Sequence, residues 1–489
     1  MSNYKFNEHH LYDIWQKQNF NNSLQTLSGL DVTVLDVGEL DCDSAGPDFK
    51  HARIRIGNLT YVGDIEIDTD YSDWKSHGHN IDKKYDKLIL HVSLFNRNKQ
   101  QYVYTKDGRK VPTLSLLNHI DKGILNKFNG NKNQAENRLS NQLKCCSEIE
   151  HVEENIKRKY ISQLGIERFD KKCRRIFNRL KELVFINERE IKEPVIGYDL
   201  TESFQQRKFT HDDFKDKKLW EQVLYEIVFE ALGYSKNKTI MMSLAQSVNL
   251  SFLEKLGNDT IKIETALYNI AGLLPDSGKI PDEETSDYTK LLNENWEDIK
   301  TVYDGQTFCE TQWHFFKLRP QNFPTVRIAG GVILLNAILY ENLIPKLIKK
   351  VKEIRKLNVL INSLRSLFVI KSRGFWQKHY VFDQPSQGEI KYFIGASRAD
   401  EIVINVVLPF LSVYFDIFGM EEYSKKVLQL YNIYDQRVDN KIVKDVAESL
   451  GMEEYLKKTI YTQGMIELFR TRCSKNKCLE CEIGKEIFE

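Results

Sequence analysis

Carboxylates and imidazoles are concentrated in residues 46–92, which read GPDFKHARIRIGNLTYVGDIEIDTDYSDWKSHGHNIDKKYDKLILHV. The side chains of interest are Asp48, Asp64, Glu66, Asp68, Asp73, His77, His79, Asp82 and His91. Acids and imidazoles clustered at strand ends are what a divalent-metal site needs. The predicted site residues are Asp48, Glu66 and Asp68 as metal ligands and His77, His79 and Tyr85 as supporting groups.

A β-hairpin is predicted to bring these acids together. His51–Ile56 alternates apolar and basic residues, Thr60–Asp68 ends in strict alternation, and Gly57-Asn58 between them is a hairpin turn signal. In such a hairpin, residues whose numbers sum to about 115 face each other, so we expect Asp48 to lie about 5 Å from Glu66. The alternative is a solvent-exposed strand face whose acids have only neighbouring arginines as partners.

The elements around the hairpin follow the order helix, three strands, helix, strand. Glu8–Lys17 has the pattern of an amphipathic helix, Val32–Val37 that of a strand and Lys87–Leu94 that of a buried strand. Ser72 or Asp73 can cap a short helix that ends at Tyr85, and Gly78 weakens the middle of this helix, so the segment can begin as a turn.

This order, with Gly46-Pro47-Asp48 before the second strand and Glu66 in the third, resembles the core of the PD-(D/E)XK nuclease-like superfamily. The resemblance covers residues 1–115 and implies an α/β domain with a mixed sheet flanked by helices. It also implies that Asp48 and Glu66 hold Mg²⁺, or Mn²⁺, for phosphodiester cleavage. The superfamily has a water-activating lysine two residues after the glutamate, where this chain has Asp68.

The histidines allow another interpretation of the same stretch. His77-x-His79 together with His91 is a rival metal site. Alternatively, His79, Asp82 and Tyr85 share a helical face and orient the acids or a phosphate. Ordinary packing is the alternative for each histidine taken alone.

A longer resemblance spans the whole chain. The motifs that carry it are Gly46-Pro47-Asp48-Phe49, GDIEI at 63–67, Ser72-Asp73-Trp74, His77-x-His79, Asp82, Tyr85, LILHV at 88–92, AGLL at 271–274, RPQNFPTVRIA at 319–329, Asn405 with Pro409, and Cys478-x-x-Cys481-x-x-Gly484. In these motifs the chain resembles the bacterial domain-of-unknown-function family 2851. That family commonly has Glu-Ile-His where this chain has Glu66-Ile67-Asp68, and it has no established activity.

The sequence changes character after residue 115. Residues 1–115 are strand-rich, residues 116–148 contain an Asn-rich polar stretch that predicts a linker, and residues 149–489 have helical periodicity almost throughout. The predicted fold is therefore an α/β domain followed by a large all-α domain.

Composition sets broader limits. The 489 residues carry a formal net charge of +1, so no global field favours nucleic acid. The first residues contain no apolar signal core, polar residues and a proline interrupt the longest apolar stretch at 402–418, and the eight cysteines form no small-domain framework. These features predict a cytoplasmic protein without a membrane partner.

Two helical segments carry clustered positive charge. In the first, the residues predicted to contact nucleic-acid phosphates are Lys157, Arg158, Lys171, Lys172, Arg174, Arg175 and Arg179. Lys346–Lys356 is a smaller second stripe. A solvated helix face is the alternative for both.

Cys473-x4-Cys478-x2-Cys481 has a spacing that can bind Zn²⁺ or an iron–sulfur cluster. Such a site needs four ligands and this motif supplies three thiols, so Cys145 or Cys146 can supply the fourth. The pattern resembles that of some PD-(D/E)XK helicase-nucleases, in which one cysteine precedes and three follow. Reduced structural thiols are the alternative.

Three functional hypotheses remain. The first is a metal-dependent nuclease, which the retained Asp48 and Glu66 favour. The second is a catalytically inactive nuclease-fold module that binds nucleic acid or serves as a scaffold, which the missing lysine favours. The third is a structural protein whose acids only stabilise the fold.

Overall fold

A computed structural model describes residues 8–18, 20, 23–40, 46–120, 143, 145–191, 202–275, 285–315, 318–386, 388–436 and 440–488. The chain divides into two compact units, of which the first comprises Met1–Ser140 and Thr311–Phe323 and the second comprises Asn141–Glu310 and Pro324–Glu489. The predicted Asn-rich loop at 129–141 lies outside the described residues.

The unit boundaries differ from the predicted ones in the segment Thr311–Phe323. This segment lies within the sequence of the helical part, yet it belongs to the first unit. Its Trp313 is 1% exposed. A Cβ placed on Gly78 would lie 3.6 Å from the ring of Phe323, so this segment packs beside a turn of the first unit. Contacts across more than 200 residues of sequence leave no local signal in the segment itself.

The strands of the first unit are β1 Leu24–Gln25, β2 Asp31–Asp36, β3 Glu39–Leu40, β4 Phe49–Ile56, β5 Leu59–Asp70, β6 Leu88–Phe95, β7 Tyr102–Tyr104 and β8 Lys110–Ser115. They form one sheet in the order β1-β2-β4-β5-β6-β8-β7, with β3 beside β4. The β5–β6 and β6–β8 pairs are parallel and the other pairs are antiparallel. The N-terminal unit is therefore a mixed-sheet domain, as predicted.

Helix α1, Glu8–Lys17, covers one face of this sheet. Its Leu11 and Trp15 are fully buried and share a hydrophobic core with Ile65 and Ile67 of β5. Because successive side chains of a strand point to opposite faces, Glu66 and Asp68 lie on the other face of β5. The alternation predicted for this strand thus separates the core from the acids.

The predicted hairpin is confirmed, and its register follows the predicted sum. Ala52 faces Gly63 and Ile56 faces Leu59, with Gly57 in a left-handed conformation at the turn. A bulge between Phe49 and Ala52 shifts the register by one residue, so that Phe49 faces Ile65. This shift brings the residue before β4, Asp48, beside Glu66.

The second unit is helical, as predicted. Its helices are α3 Glu154–Arg189, α4 Glu202–Gln206, α5 Lys217–Leu232, α6 Lys238–Ser247, α7 Leu250–Lys255, α8 Thr260–Ile270, α9 Asp287–Ile299, α10 Pro324–Leu339, α11 Leu343–Glu353, α12 Leu357–Ser366, α13 Ala396–Ile402, α14 Leu408–Ile417, α15 Glu421–Ile433, α16 Lys441–Leu450, α17 Thr459–Thr471 and α18 Glu482–Phe488. A π-helical turn, Val403–Val407, joins α13 to α14. Short strands that the sequence did not predict are β9 Ile370–Lys371, β10 His379–Val381, β11 Gln384–Pro385 and β12 Tyr392–Ile394.

Within the part of the chain that the structure describes, no single helix has the length and apolar composition of a membrane span. The pair Pro324–Leu339 and Leu343–Glu353 passes the same test together, with a bend of 73° between its members.

Two glycines allow α3 and α17 to cross at close range. A Cβ at Gly165 would lie 2.2 Å from the carbonyl oxygen of Ile460, and one at Gly464 would lie 1.9 Å from that of Ile161. We expect Gly464→Ala to lower the unfolding free energy by about 1–3 kcal/mol, because the two backbones must separate. Urea denaturation measures this change. Gly388→Ala, where a Cβ meets nothing within 4 Å, is the control, and equal losses in the two variants would contradict the close crossing.

Candidate metal centre

The two acids of the hairpin are buried and hydrogen-bonded to each other's strands. The backbone N–H of Asp48 donates to Glu66 Oε2 at 3.1 Å, and the N–H of Ile67 donates to Asp48 Oδ2 at 2.9 Å. The hydroxyl of Tyr12, from α1, donates to Asp48 Oδ1 at 2.6 Å. Asp48 is 4% exposed and Glu66 is 1% exposed. The alternative of a solvent-exposed acidic strand face is therefore wrong.

The segment after β5 brings two imidazoles to the next acid along the strand. Helix α2, Asp73–Ser76, ends at His77, and Gly78 then adopts a left-handed conformation that reverses the chain before His79. His77 Nδ1 lies 3.5 Å from Asp68 Oδ1, and His79 Nδ1 lies 3.8 Å from Asp68 Oδ2. A ligand atom from each of the three residues lies within 4.8 Å of the others.

These separations suit a single cation. Nitrogen and oxygen ligands lie about 2.1 Å from Zn²⁺, so the corners of a tetrahedral site are about 3.4 Å apart. Glu66 lies beside this set, because its Oε1 lies 3.3 Å from His79 Nδ1. Two imidazoles and one carboxylate are thus close enough to share one divalent ion.

His91 holds this group from the neighbouring strand. In the parallel pairing of β5 with β6, His91 faces Glu66, and its Nε2 lies 3.0 Å from Asp68 Oδ2. The predicted rival site of three histidines is therefore only partly present. His77 and His79 form one ligand group with Asp68, whereas His91 lies outside that group and contacts the Asp68 carboxylate from β6. A hydrogen-bonded outer partner of this kind orients a ligating carboxylate.

The predicted helix ending at Tyr85 is broken at Gly78, the residue expected to weaken it. After α2, the 3₁₀ turns His79–Ile81 and Lys83–Tyr85 replace the second half of that helix, because the left-handed Gly78 interrupts it. Asp82 caps the second turn by accepting a hydrogen bond from the N–H of Lys84 at 3.0 Å. Asp82 is therefore placed to stabilise the turn. This structural role comes in addition to the predicted role of orienting the acids.

An aromatic wall fixes the imidazole planes. The ring of His79 stacks on that of Tyr85, with centroids 4.5 Å apart. Trp74 makes edge contacts with His79, Tyr85 and His91, at 5.2, 5.5 and 5.4 Å. Trp74 and Tyr12 are site residues whose contacts with the histidines and acids were not predicted from the sequence. A large apolar side chain within the polar run Ser72–Asp82 was the available signal for Trp74.

Burial and charge act against each other at Asp68. Burial raises the pKa of its carboxyl, but His79, His77 and His91 outweigh that effect and hold the pKa below the ordinary value of 3.8. Asp68 is therefore an anion at neutral pH. A metal ion at this site requires the anionic carboxylate together with neutral imidazoles.

Tyr85 has the opposite character. Burial, followed by the negative charges of Glu66, Asp48 and Asp68, raises the pKa of its hydroxyl well above 10. The phenol therefore stays protonated at neutral pH. It can donate a hydrogen bond, and it is unsuited to act as a general base.

Most of the residues predicted to bind nucleic acid have partners within the second unit. The intramolecular contacts are Lys157 with the carbonyl of Leu450, Lys171 with Glu467, Lys172 with Asn405 and Gln463, Arg175 with Glu230, and Arg179 with Glu226 and Glu182. Arg158 and Arg174 are exposed. Burial lowers the pKa of Lys172 well below its usual value, so this residue in particular is poorly suited to neutralise a phosphate.

The cysteines of the predicted second metal site lie in the helical unit. Cys145 and Cys473 pack against the hydrophobic cluster that contains Cys481, and Cys146 begins the 3₁₀ turn Cys146–His151. The described cysteines form no disulfide bond.

The chain matches a family model described as "Protein of unknown function (DUF2851)" over residues 8–190 and 202–440. The chain belongs to this family. The DUF2851 match includes the hairpin, the histidines and most of the helical unit, and it confirms the resemblance over these residues. No curated protein and no solved structure matches the sequence.

Proposed function

We propose that the first unit is a metal-dependent hydrolase that cleaves phosphodiesters of nucleic acid, with a divalent cation held by Asp68, His77 and His79. The observation that carries the proposal is the approach of these three side chains to within ligand distance of one another. A set of imidazole and carboxylate ligands suits Mn²⁺, Fe²⁺ or Zn²⁺ better than Mg²⁺, which prefers oxygen. The preferred ion therefore differs from the Mg²⁺ implied by the acids alone.

The chain's own groups have separable roles in this proposal. A cation at the site polarises a phosphoryl oxygen and lowers the pKa of a coordinated water. Glu66, beside His79, is a fourth ligand or a proton acceptor. Asp48 is a positioning residue, since its carboxylate accepts hydrogen bonds from Tyr12 and Ile67. Tyr85 is a neutral donor for charge that develops on the phosphate.

Support for a phosphodiester substrate comes from the order of elements around the hairpin. Helix α1 and strand β2 precede β4, Asp48 stands before β4 and its N–H donates to Glu66 in β5, and a short helix leads to β6. This is the order that resembles the PD-(D/E)XK core. Asp68 stands where the superfamily has its lysine. In place of a lysine ammonium group, three histidines lie beside the Asp68 carboxylate.

A catalytically inactive module that binds nucleic acid is the second candidate. The observation that favours it is Asp68 itself, which places a negative charge where the superfamily has a positive one. The substitution Asp68→Lys separates the candidates. An enzyme that uses Asp68 as a ligand loses activity, whereas a decayed nuclease gains it.

The activity is tested with labelled single- and double-stranded DNA and RNA in the presence of Mn²⁺, Zn²⁺ or Mg²⁺. We expect cleavage with Mn²⁺ that falls about 100-fold or more in Glu66→Gln and in Asp68→Asn, because both carboxylates act on the cation in the transition state. Asp13→Asn, on the exposed side of α1, is the control with the same chemical change.

Binding measurements complete this experiment. We expect Glu66→Gln to retain its affinity for nucleic acid, because phosphate contacts by lysine and arginine supply most of that affinity. Absence of cleavage with every ion and substrate, while binding persists, overturns the hydrolase and leaves the inactive module. Absence of both leaves the structural hypothesis.

A further inference from the structure

The C-terminal cysteines stand on two tight turns that follow α17. The turns are Cys473–Lys475 and Cys478–Glu480, and helix α18 follows directly. The N–H of Asn476 donates to the carbonyl oxygen of Cys473 at 3.1 Å, and the N–H of Cys481 donates to that of Cys478 at 3.0 Å. Cys473, Cys478 and Cys481 therefore lie on or directly after two consecutive turns of the chain.

A fourth thiol approaches from a distant part of the sequence. Helix α18 packs against the turn Cys146–His151, directly after Cys145. Cys145 and Cys473 both pack against the hydrophobic cluster that includes the buried Cys481. The convergence therefore joins residues more than 300 positions apart, which chain connectivity alone does not require.

Packing identifies which cysteine of the adjacent pair takes part. Cys145 packs against the same hydrophobic cluster as Cys473 and the buried Cys481, whereas Cys146 begins the 3₁₀ turn Cys146–His151. Cys145 is thus the member of the pair that lies with the C-terminal cysteines.

The surroundings of the thiols are closely packed. A Cβ at Gly484 would lie 2.1 Å from the carbonyl oxygen of Cys478, so only glycine lets α18 approach the second turn. Tyr160 of α3 belongs to the same buried hydrophobic cluster as Cys481. Three separate parts of the chain therefore enclose the cysteines.

We propose that the second unit contains a metal centre, either Zn²⁺ or an iron–sulfur cluster, whose four thiolate ligands are Cys145, Cys473, Cys478 and Cys481. Binding replaces the thiol protons, which pass to solvent, and the metal charge stabilises the thiolates that burial otherwise disfavours. The centre fastens the short helix α18, which has 7 residues, to the beginning of the helical unit. A helix of that length has little stability of its own.

The test is elemental analysis of full-length protein purified without oxygen, together with acid-labile sulfide and visible absorption. Zinc without sulfide identifies a single ion, and iron with sulfide and absorption in the visible range identifies a cluster. The measurements are made in the Asp68→Asn background, so that metal bound by the first unit is not counted. We expect Cys145→Ser to lose the metal and the adjacent Cys146→Ser to retain it.

Thiol labelling of the otherwise unmodified chain keeps the test independent of folding defects in the variants. With a maleimide under native conditions, we expect the exposed Cys309 to react and the four ligand cysteines to stay protected until a chelator is added. Absence of both zinc and iron overturns the proposal. So does metal that survives Cys145→Ser, or labelling of the four thiols as fast as Cys309 without chelator.

Discussion

Replacing Asp68 with asparagine is expected to reduce the affinity of the first unit for Mn²⁺ or Zn²⁺ by more than about 100-fold. Removal of an outer-shell partner typically costs 10–100-fold in metal affinity, and Asp68 is itself a proposed ligand. The loss of its charge also leaves His77 and His79 without their shared partner. Isothermal titration calorimetry on chelator-treated protein measures the change. His91→Ala, which removes the contact of His91 Nε2 with Asp68 Oδ2, should lower the metal affinity by about 10–100-fold.

Thermal unfolding distinguishes a metal centre from a network of ion pairs. If the cluster binds a cation, ion at 100 times its dissociation constant stabilises the first unit by about 2.7 kcal/mol, and Asp68→Asn abolishes that increment. If the cluster only pairs histidines with acids, the ion has no effect and Asp68→Asn lowers the melting temperature equally with and without it. Asp13→Asn, exposed on α1, should respond to the ion like the unmodified protein.

A large pH effect is expected from one carboxyl of the second unit, Glu264 of α8. Burial raises its pKa from 4.5 to about 7, although a hydrogen bond from the hydroxyl of Tyr288, 2.8 Å from Glu264 Oε2, acts in the opposite direction. Trp376 donates in turn to that hydroxyl at 3.2 Å, which fixes its position. The folded protein therefore favours the neutral form of the Glu264 carboxyl.

The sign of the pH dependence follows from the raised pKa. Between pH 4.5 and about 7 the folded protein retains a proton that the unfolded chain has lost, so stability falls as the pH rises through this window. The total change is about 3 kcal/mol for a shift of this size. Stability from this group is fully present below pH 4.5 and absent above about 7.

The substitution Glu264→Gln isolates this contribution, because the amide keeps a polar group for Tyr288 and does not titrate. Urea denaturation from pH 4.5 to 8.5 should show the variant gaining about 3 kcal/mol relative to the unmodified protein as the pH rises. Glu294→Gln, on the exposed side of α9, should track the unmodified protein throughout. Parallel stability curves for the unmodified protein and Glu264→Gln would contradict the raised pKa.

The hairpin and its acids were predictable because their signals are local. Strict alternation from Thr60 to Asp68 separates the core face from the site face, and Gly57-Asn58 fixes the turn, so the register could be counted from the sequence. The bulge at residues 50–51 had no such signal. The bulge shifts the register by only one residue, but this shift places Asp48 beside Glu66.

Groups brought in by tertiary structure could not be predicted in the same way. Tyr12 reaches Asp48 from a helix, and His91 meets Asp68 through a parallel pairing whose crossover length leaves the register open. For the basic residues of α3, the tertiary contacts were likewise not visible in the sequence. Their charge density was visible in the sequence, but the acids that compensate Arg175 and Arg179 lie on α5.

The membership of Thr311–Phe323 in the first unit has a consequence for synthesis on the ribosome. Phe323 packs beside Gly78, the residue that separates His77 from His79. At 5–20 residues per second, about 10–40 s pass between the emergence of residue 140 and that of residue 323. For that interval the nascent hairpin and its histidines exist without the segment that packs against their turn, so the first unit is completed only after much of the helical unit has been translated.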